Sequence, residues 1–257
     1  MKALRLLAVG WTFHLKSLTS SGFFLMTSIF MPLLVATVAY YMFRAGHRPG
    51  SLFYASLGAA VYGIWSTTLF GSGGAIQWQR WQGTLEVIVA APAPFLLVLL
   101  PLTLATSSMG VYSLASTLFW GRVIFGIPFD IAHPLLFALA IPVTLIGLGL
   151  LGLVIASSFV LYRYANALAN MLDWPILLIS GLLVPLSLLP GWSHPVSWSL
   201  APTWGMRAIR DSALGGGHPL RALTMTLVLS AVYLVLGSVL LRNFERLARR
   251  NATLSLT

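Results

Sequence analysis

Residues 73–91 read GGAIQWQRWQGTLEVIVAA, a short polar island between two long apolar runs. At helical spacing Trp78, Trp81, Leu85 and Ile88 recur at i, i+3, i+7 and i+10 and make one apolar stripe. Gln77, Arg80 and Thr84 recur on another side, and Glu86 closes the segment. Such a helix lies along a membrane surface, its tryptophans at the lipid boundary and its polar side toward water or another protein. The runs on either side of it predict an all-α, polytopic membrane protein.

Composition agrees. Of 257 residues, 58% are hydrophobic and only 8% charged, with a mean hydropathy of +0.89. A soluble domain is about a quarter charged, so lipid must solvate most of this chain. The formal charge of +10 comes from 15 Lys and Arg against 5 Asp and Glu. The basic residues sit singly between apolar runs or at the two ends, which suits phospholipid headgroups and gives no nucleic-acid reading. The absence of cysteine excludes disulfides, thiolate metal sites and a cysteine nucleophile. No compact basic, apolar and small-residue pattern opens the chain, so no removed signal peptide is expected.

Residues 1–21 place Leu4, Leu7, Trp11, Leu15 and Leu18 on one helical face, an amphipathic interfacial helix. Residues 22–257 then form a single domain of six predicted spans. These run over about 23–43, 52–70, 95–119, 134–161, 168–189 and 222–241, each near the roughly 20 apolar residues that a crossing needs. The second is expected to end in the glycines of 71–74, before the island. Gly147, Gly149 and Gly152 in the fourth mark places where another helix comes close. Residues 190–221 hold Trp192, Trp198, Trp204, four prolines, Arg207, Arg210 and Asp211. That stretch is too interrupted to span and is expected to form short interfacial or re-entrant helices.

Six spans put both termini on one side of the membrane. If that side is the cytoplasm, nine basic residues lie inside (Lys2, Arg5, Lys16, Arg80, Arg163, Arg242, Arg246, Arg249, Arg250) and six outside (Arg44, Arg48, Arg122, Arg207, Arg210, Arg221). The bias has the sign of the positive-inside rule. It places 73–91 in the cytoplasm and 190–221 outside.

No catalytic constellation is legible. The acidic residues Glu86, Asp130, Asp173, Asp211 and Glu245 all read as lying at span ends or in loops, which argues against proton coupling through buried carboxylates. Asp173, beside Trp174-Pro175, reads either as a wet interfacial charge or as a partner for Arg163 across a short loop. The histidines lack ligand spacing, so no metal site is expected. No phosphate-binding G-x-x-x-x-G-K-[ST] loop occurs, so any ATP must be handled by a partner.

Arg80 followed by Gly83-Thr84-Leu85-Glu86, between the second and third spans, resembles the cytoplasmic coupling segment of ABC-2 type exporter permeases. Ser180-Gly181, Pro185, Leu189-Pro190-x-Trp192, Pro202 and Ala208-x-Arg210 resemble, in order, the same family's fifth helix and external re-entrant segment. Where family members often carry an acidic residue just before the arginine, this chain has Gln77 and Gln79, so its polar face is less charged.

The resemblance implies a transmembrane subunit that dimerises with a copy of itself or a homologue. It also implies a separate ATPase subunit that binds ATP and Mg, with no cofactor held by this chain. It makes Gln77, Gln79, Arg80, Gly83, Thr84 and Glu86 the ATPase contact, and Trp192, Trp198, Trp204 and Arg210 parts of the external segment. The tryptophans read either as headgroup anchors or as ligand-stacking groups. Ser180 and Gly181 join Asn166 and Asn170 as candidates for a substrate route, the two asparagines equally suited to bonding between helices. The cargo class is a drug, a lipid or a lipid-linked glycan, with apolar span walls leaning toward a hydrophobic molecule. A multi-pass cell-membrane location follows, and the lack of a fused motor suits a prokaryotic source. The remaining alternative is a motor-independent channel or scaffold.

Overall fold

The computed structural model describes residues 2–45, 51–81, 83, 94–161 and 165–251. In chain order the helices are α1 (Lys2–Ser20), α2 (Gly22–Ala45), α3 (Ser51–Trp81), α4 (Leu96–Ser108), α5 (Gly110–Phe125), α6 (Pro134–Leu161) and α7 (Ala165–Ile179). Two single turns of 3₁₀ helix follow, Leu186–Leu188 and Gly191–Ser193. Then come α8 (His194–Trp198), α9 (Ala201–Leu214) and α10 (Pro219–Asn251). Every described element is helical, as lipid requires of a chain that must bond its own backbone groups.

Among the described residues four stretches are long and apolar enough to cross a membrane: Gly22–Ala45, Leu96–Phe125, Pro134–Ser158 and Pro219–Asn243. The chain is therefore a polytopic membrane protein. The second of these stretches joins α4 and α5 through Met109, whose helical backbone still donates to the Ala105 carbonyl (3.1 Å).

α3 is not among the four, and its position in the bundle explains why. It packs on α2, α4, α5, α6, α7 and α9, and from Ala55 to Trp65 every residue is buried. A helix that meets protein on all sides has no need of a greasy surface. It is built from small and hydroxyl residues that let neighbours approach. A Cβ on Gly63 would stand 2.5 Å from both Pro32 Cγ and Ser113 Cβ. The hydroxyls are satisfied inside the bundle: Thr67 and Thr68 donate to the Gly63 and Ile64 carbonyls (2.9 and 2.7 Å), and Ser72 Oγ meets Thr106 Oγ1 at 3.1 Å.

The close-approach glycines of α6 each meet a different neighbour. Added Cβ atoms on Gly147, Gly149 and Gly152 would stand 2.9 Å from Thr226, 2.8 Å from Ser107 and 2.7 Å from Thr68. α1 docks on α4, with Gly10 against Pro101 and Trp11 Nε1 donating to Ser108 Oγ (3.2 Å). Its residues Leu4, Leu6, Val9 and Phe13 face outward.

Three expectations need correction. The helix predicted to stop near Phe70 runs unbroken through 71–74 to Trp81. Those glycines do not end the helix. They let it pack, since a Cβ on Gly71 would stand 2.7 Å from Thr106 Cγ2. The island therefore begins as the continuation of α3 and not as a separate surface helix. Second, the span predicted over 95–119 extends to Phe125, where Gly126 at φ 63° ends it, so Arg122 lies in its last turn. Third, the span predicted over 168–189 is helical only to Ile179. Gly181, at φ +79°, turns the chain in a conformation other residues resist, and Pro185 and Pro190 begin the two short turns that follow.

α9 fills the space left by that early stop. Its first residue, Ala201, lies beside Gly147 and donates its N–H to Tyr233 Oη (3.2 Å). Both neighbours sit about half-way along their own helices, so α9 starts deep in the bundle and climbs to the end where α3 and α10 begin. Nearly every residue of it is buried.

Candidate functional site

The chain beyond α7 presents backbone carbonyl groups that belong to no helix. Arg210 of α9 takes them up. Its Nη1 donates to the Gly181 carbonyl (2.7 Å) and its Nη2 to the Leu182 carbonyl, while the guanidinium lies over the Tyr54 ring with Cζ 3.2 Å from the centroid. Only 7% of Arg210 is exposed. Among the described residues no carboxylate pairs with it, so carbonyl dipoles and an aromatic face carry its charge. Gly58 makes the contact possible, because any Cβ there would fall 2.0 Å from the Leu182 oxygen.

Ser180 and Gly181, proposed from sequence as route residues, are thus buried beside Arg210 and line a cavity of ≈ 370 Å³ with Tyr54, Thr203 and Met206. Asn170 is exposed on α7, and the side chain of Asn166 lies outside the described residues. The three tryptophans separate. Trp192 and Trp198 are exposed, whereas Trp204 is buried, donates its Nε1–H to the Trp198 carbonyl (2.8 Å) and carries Arg207 over its ring at 5.0 Å. Trp204 is a packing residue and not a headgroup anchor. Arg210 likewise is no surface charge but a buried brace.

Asp173 corrects a further expectation. It is 6% exposed and accepts a hydrogen bond from Tyr62 Oη (3.0 Å). Tyr62 lies well inside α3, so a carboxyl group does stand within the helical core. The sequence disguises it because Trp174-Pro175 beside it looks interfacial, while the face of α7 that meets α3 is set only by packing. Arg163 lies outside the described residues.

At its opposite end α3 runs into the first part of the island. Its 31 residues are about 46 Å long at 1.5 Å per residue, well beyond the ~30 Å hydrocarbon core. Gln77, Gln79 and Arg80 ride on its last turns, with side chains outside the described residues. Gly83 is exposed at φ +67°. Thr84 and Glu86 lie outside the described residues. One helix thus runs from the Arg210 brace through the Asp173 contact to the segment singled out by sequence.

This is an all-helical, polytopic membrane domain built around one long, enclosed helix. The family pattern described as "ABC-2 type transporter" matches residues 5–214, and the chain belongs to that family. The match takes in α1 through α9 and leaves α10 outside. No curated protein matches the chain. Membrane domains of this family are typically non-catalytic subunits that work with an ABC ATPase.

Proposed function

We propose that this chain is the permease subunit of an ATP-driven exporter that moves an amphipathic or hydrophobic cargo out of the cytoplasm or inner leaflet. It works as a dimer with itself or a homologue, in the cell membrane, with both termini cytoplasmic. A separate ATPase subunit binds ATP and Mg and docks on residues 73–91, through Gln77, Gln79, Arg80, Gly83, Thr84 and Glu86. The domain holds six crossings, α3 and α7 among them, with residues 190–221 as an external re-entrant segment.

The observation that carries this reading is the continuity of α3. A push on its projecting end is delivered to a helix that touches most of the bundle. Through Tyr62–Asp173 and Gly58–Leu182 the push reaches α7, the helix that precedes the turn at Ser180-Gly181. A coupling element must have different contacts in the two states of the motor, and a rigid helix crossing the whole domain transmits such a difference.

The test is affinity purification of the tagged protein in mild detergent, with ATPase activity measured on the complex. A co-purifying ATPase subunit is expected, with cargo-stimulated turnover abolished by the double substitution Arg80→Ala/Glu86→Ala and membrane insertion unchanged. A stable complex without an ATPase would instead make the protein a channel or scaffold.

A further inference from the structure

The end of the bundle around α9 is over-supplied with positive charge. Arg207 and Arg210 stand near one carboxylate, Asp211, Arg221 lines a cavity with it, and among the described residues none of the three arginines forms an ion pair with it. Asp211 is engaged elsewhere: its Oδ2 accepts the His218 backbone N–H (3.2 Å) and lies 2.5 Å from where a Gly217 Cβ would be. It serves the α9–α10 turn. Arg207 lies over the Trp204 ring, and among the described residues Asp211 attracts it without an ion-pair contact.

Two cavities adjoin here and share Arg207, Asp211 and Gly217 as a common wall. The ≈ 370 Å³ one is lined by Ser180, Thr203 and Arg210, whose buried Oγ, Oγ1 and Nε have no hydrogen-bond partner among the described residues. The other, ≈ 610 Å³, is lined by Arg207, His218 and Arg221 together with the apolar groups of Trp198, Ala222 and Met225. Buried polar groups are almost always satisfied. A bundle end that leaves two hydroxyls, a guanidinium N–H and two further arginines without anionic partners is arranged for an oxyanion that arrives from outside the chain. The apolar lining and the exposed Leu214, Leu220 and Trp198 at its margin fit a molecule that also carries hydrocarbon.

We propose that these adjoining cavities form one site for the anionic, phosphate-type headgroup of an amphiphile, with Arg207 and Arg221 as its accessible cations and Ser180, Thr203 and Arg210 at its polar floor. The site stands independently of the exporter reading, because its occupation needs neither nucleotide nor motor.

The test is binding to the purified full-length protein in neutral detergent, followed by native mass spectrometry. The probes are phosphatidylglycerol, phosphatidylcholine and inorganic phosphate. Phosphatidylglycerol should bind about tenfold more tightly than phosphatidylcholine, and the pair Arg207→Gln/Arg221→Gln should weaken it roughly fivefold per arginine, about 25-fold in all. The control Arg242→Gln, at the far end of α10, should leave binding unchanged. Thr203→Val removes only an unpaired hydroxyl, so it should keep the melting temperature and still weaken binding severalfold. Equal affinity for the two lipids, or an equal loss in the control, would overturn the proposal. Displacement of the lipid by millimolar inorganic phosphate would overturn it too, by making this a free-anion site.

Discussion

Substituting Gly58→Ala tests the brace that holds the broken α7 to the central helix. An added Cβ would lie 2.0 Å from the Leu182 carbonyl oxygen and 2.9 Å from Arg210 Nη2. A carbon and a carbonyl oxygen settle no closer than about 3.3 Å, so the α7 turn must retreat by roughly 1.3 Å. Overpacking of this kind costs about 1–3 kcal/mol. The retreat also strains the bond from Arg210 to Leu182, and a hydrogen bond to a charged group contributes about 1.5–3 kcal/mol. The combined loss of about 2.5–6 kcal/mol is a large share of the roughly 5–15 kcal/mol that holds a domain together. Reversible unfolding in mixed micelles reads the loss, and hydrogen exchange should place it at residues 176–184 and 201–214. Gly74→Ala serves as the control, since nothing stands within 4 Å of its added Cβ. It should stabilise α3 by about 0.5–1 kcal/mol, the usual helical advantage of alanine. If Gly58→Ala costs under ~1 kcal/mol, the reasoning that this glycine exists for the Arg210 contact is wrong.

Three other perturbations report on separate contacts. Tyr62→Phe leaves the buried Asp173 without its donor and should cost about 1–3 kcal/mol in the same unfolding assay. Adding Asp173→Leu should recover most of that loss, and a double variant no better than the single would contradict the pairing. Tyr233→Phe removes a hydroxyl that donates to the Ser199 carbonyl and accepts from Ala201 N–H. It should cost about 1–2 kcal/mol and speed hydrogen exchange at the start of α9, whereas unchanged exchange there would show that the hydroxyl does not hold α9 in place. Burial of His14 on α1 holds its pKa below the usual histidine value by disfavouring the charged ring. The docked state therefore favours neutral His14, so its contribution is complete above the usual value and is lost as pH falls through the lowered one. The protection of α1 amides relative to their intrinsic exchange rates should fall on acidification, and His14→Gln should flatten that dependence.

Much of the architecture is legible in the sequence. Apolar run lengths located the stretches that became α2, α4–α5, α6 and α10, because a bilayer imposes a length on whatever crosses it. The glycines of α6 announced close packing. What misled was local context read without neighbours. The glycines at 71–74 look like a terminator, yet inside a crowded bundle a missing side chain is a surface for contact, and the helix continues. Trp174-Pro175 makes Asp173 look wet, while α3 covers it. Arg207 and Arg210 stand one turn apart on α9 and are chemically alike, yet one is half-exposed over Trp204 and the other buried under Tyr54 and the α7 turn.

By itself, then, the sequence determined that this is a helical membrane protein, the approximate place of its four longest apolar helices, and the order of motifs that places it in its family. These are properties of composition and of distance along the chain, which hydrophobic thickness and backbone bonding translate into structure directly. The tertiary structure decided that α3 is the enclosed central helix, that α7 stops short and α9 fills its place, and that Arg210 and Asp173 are interior groups. Those facts depend on which faces of different helices meet. In a lipid solvent that choice rests on close-packed surfaces and interhelical hydrogen bonds between residues far apart in sequence, and not on hydrophobicity, which is much the same on every side.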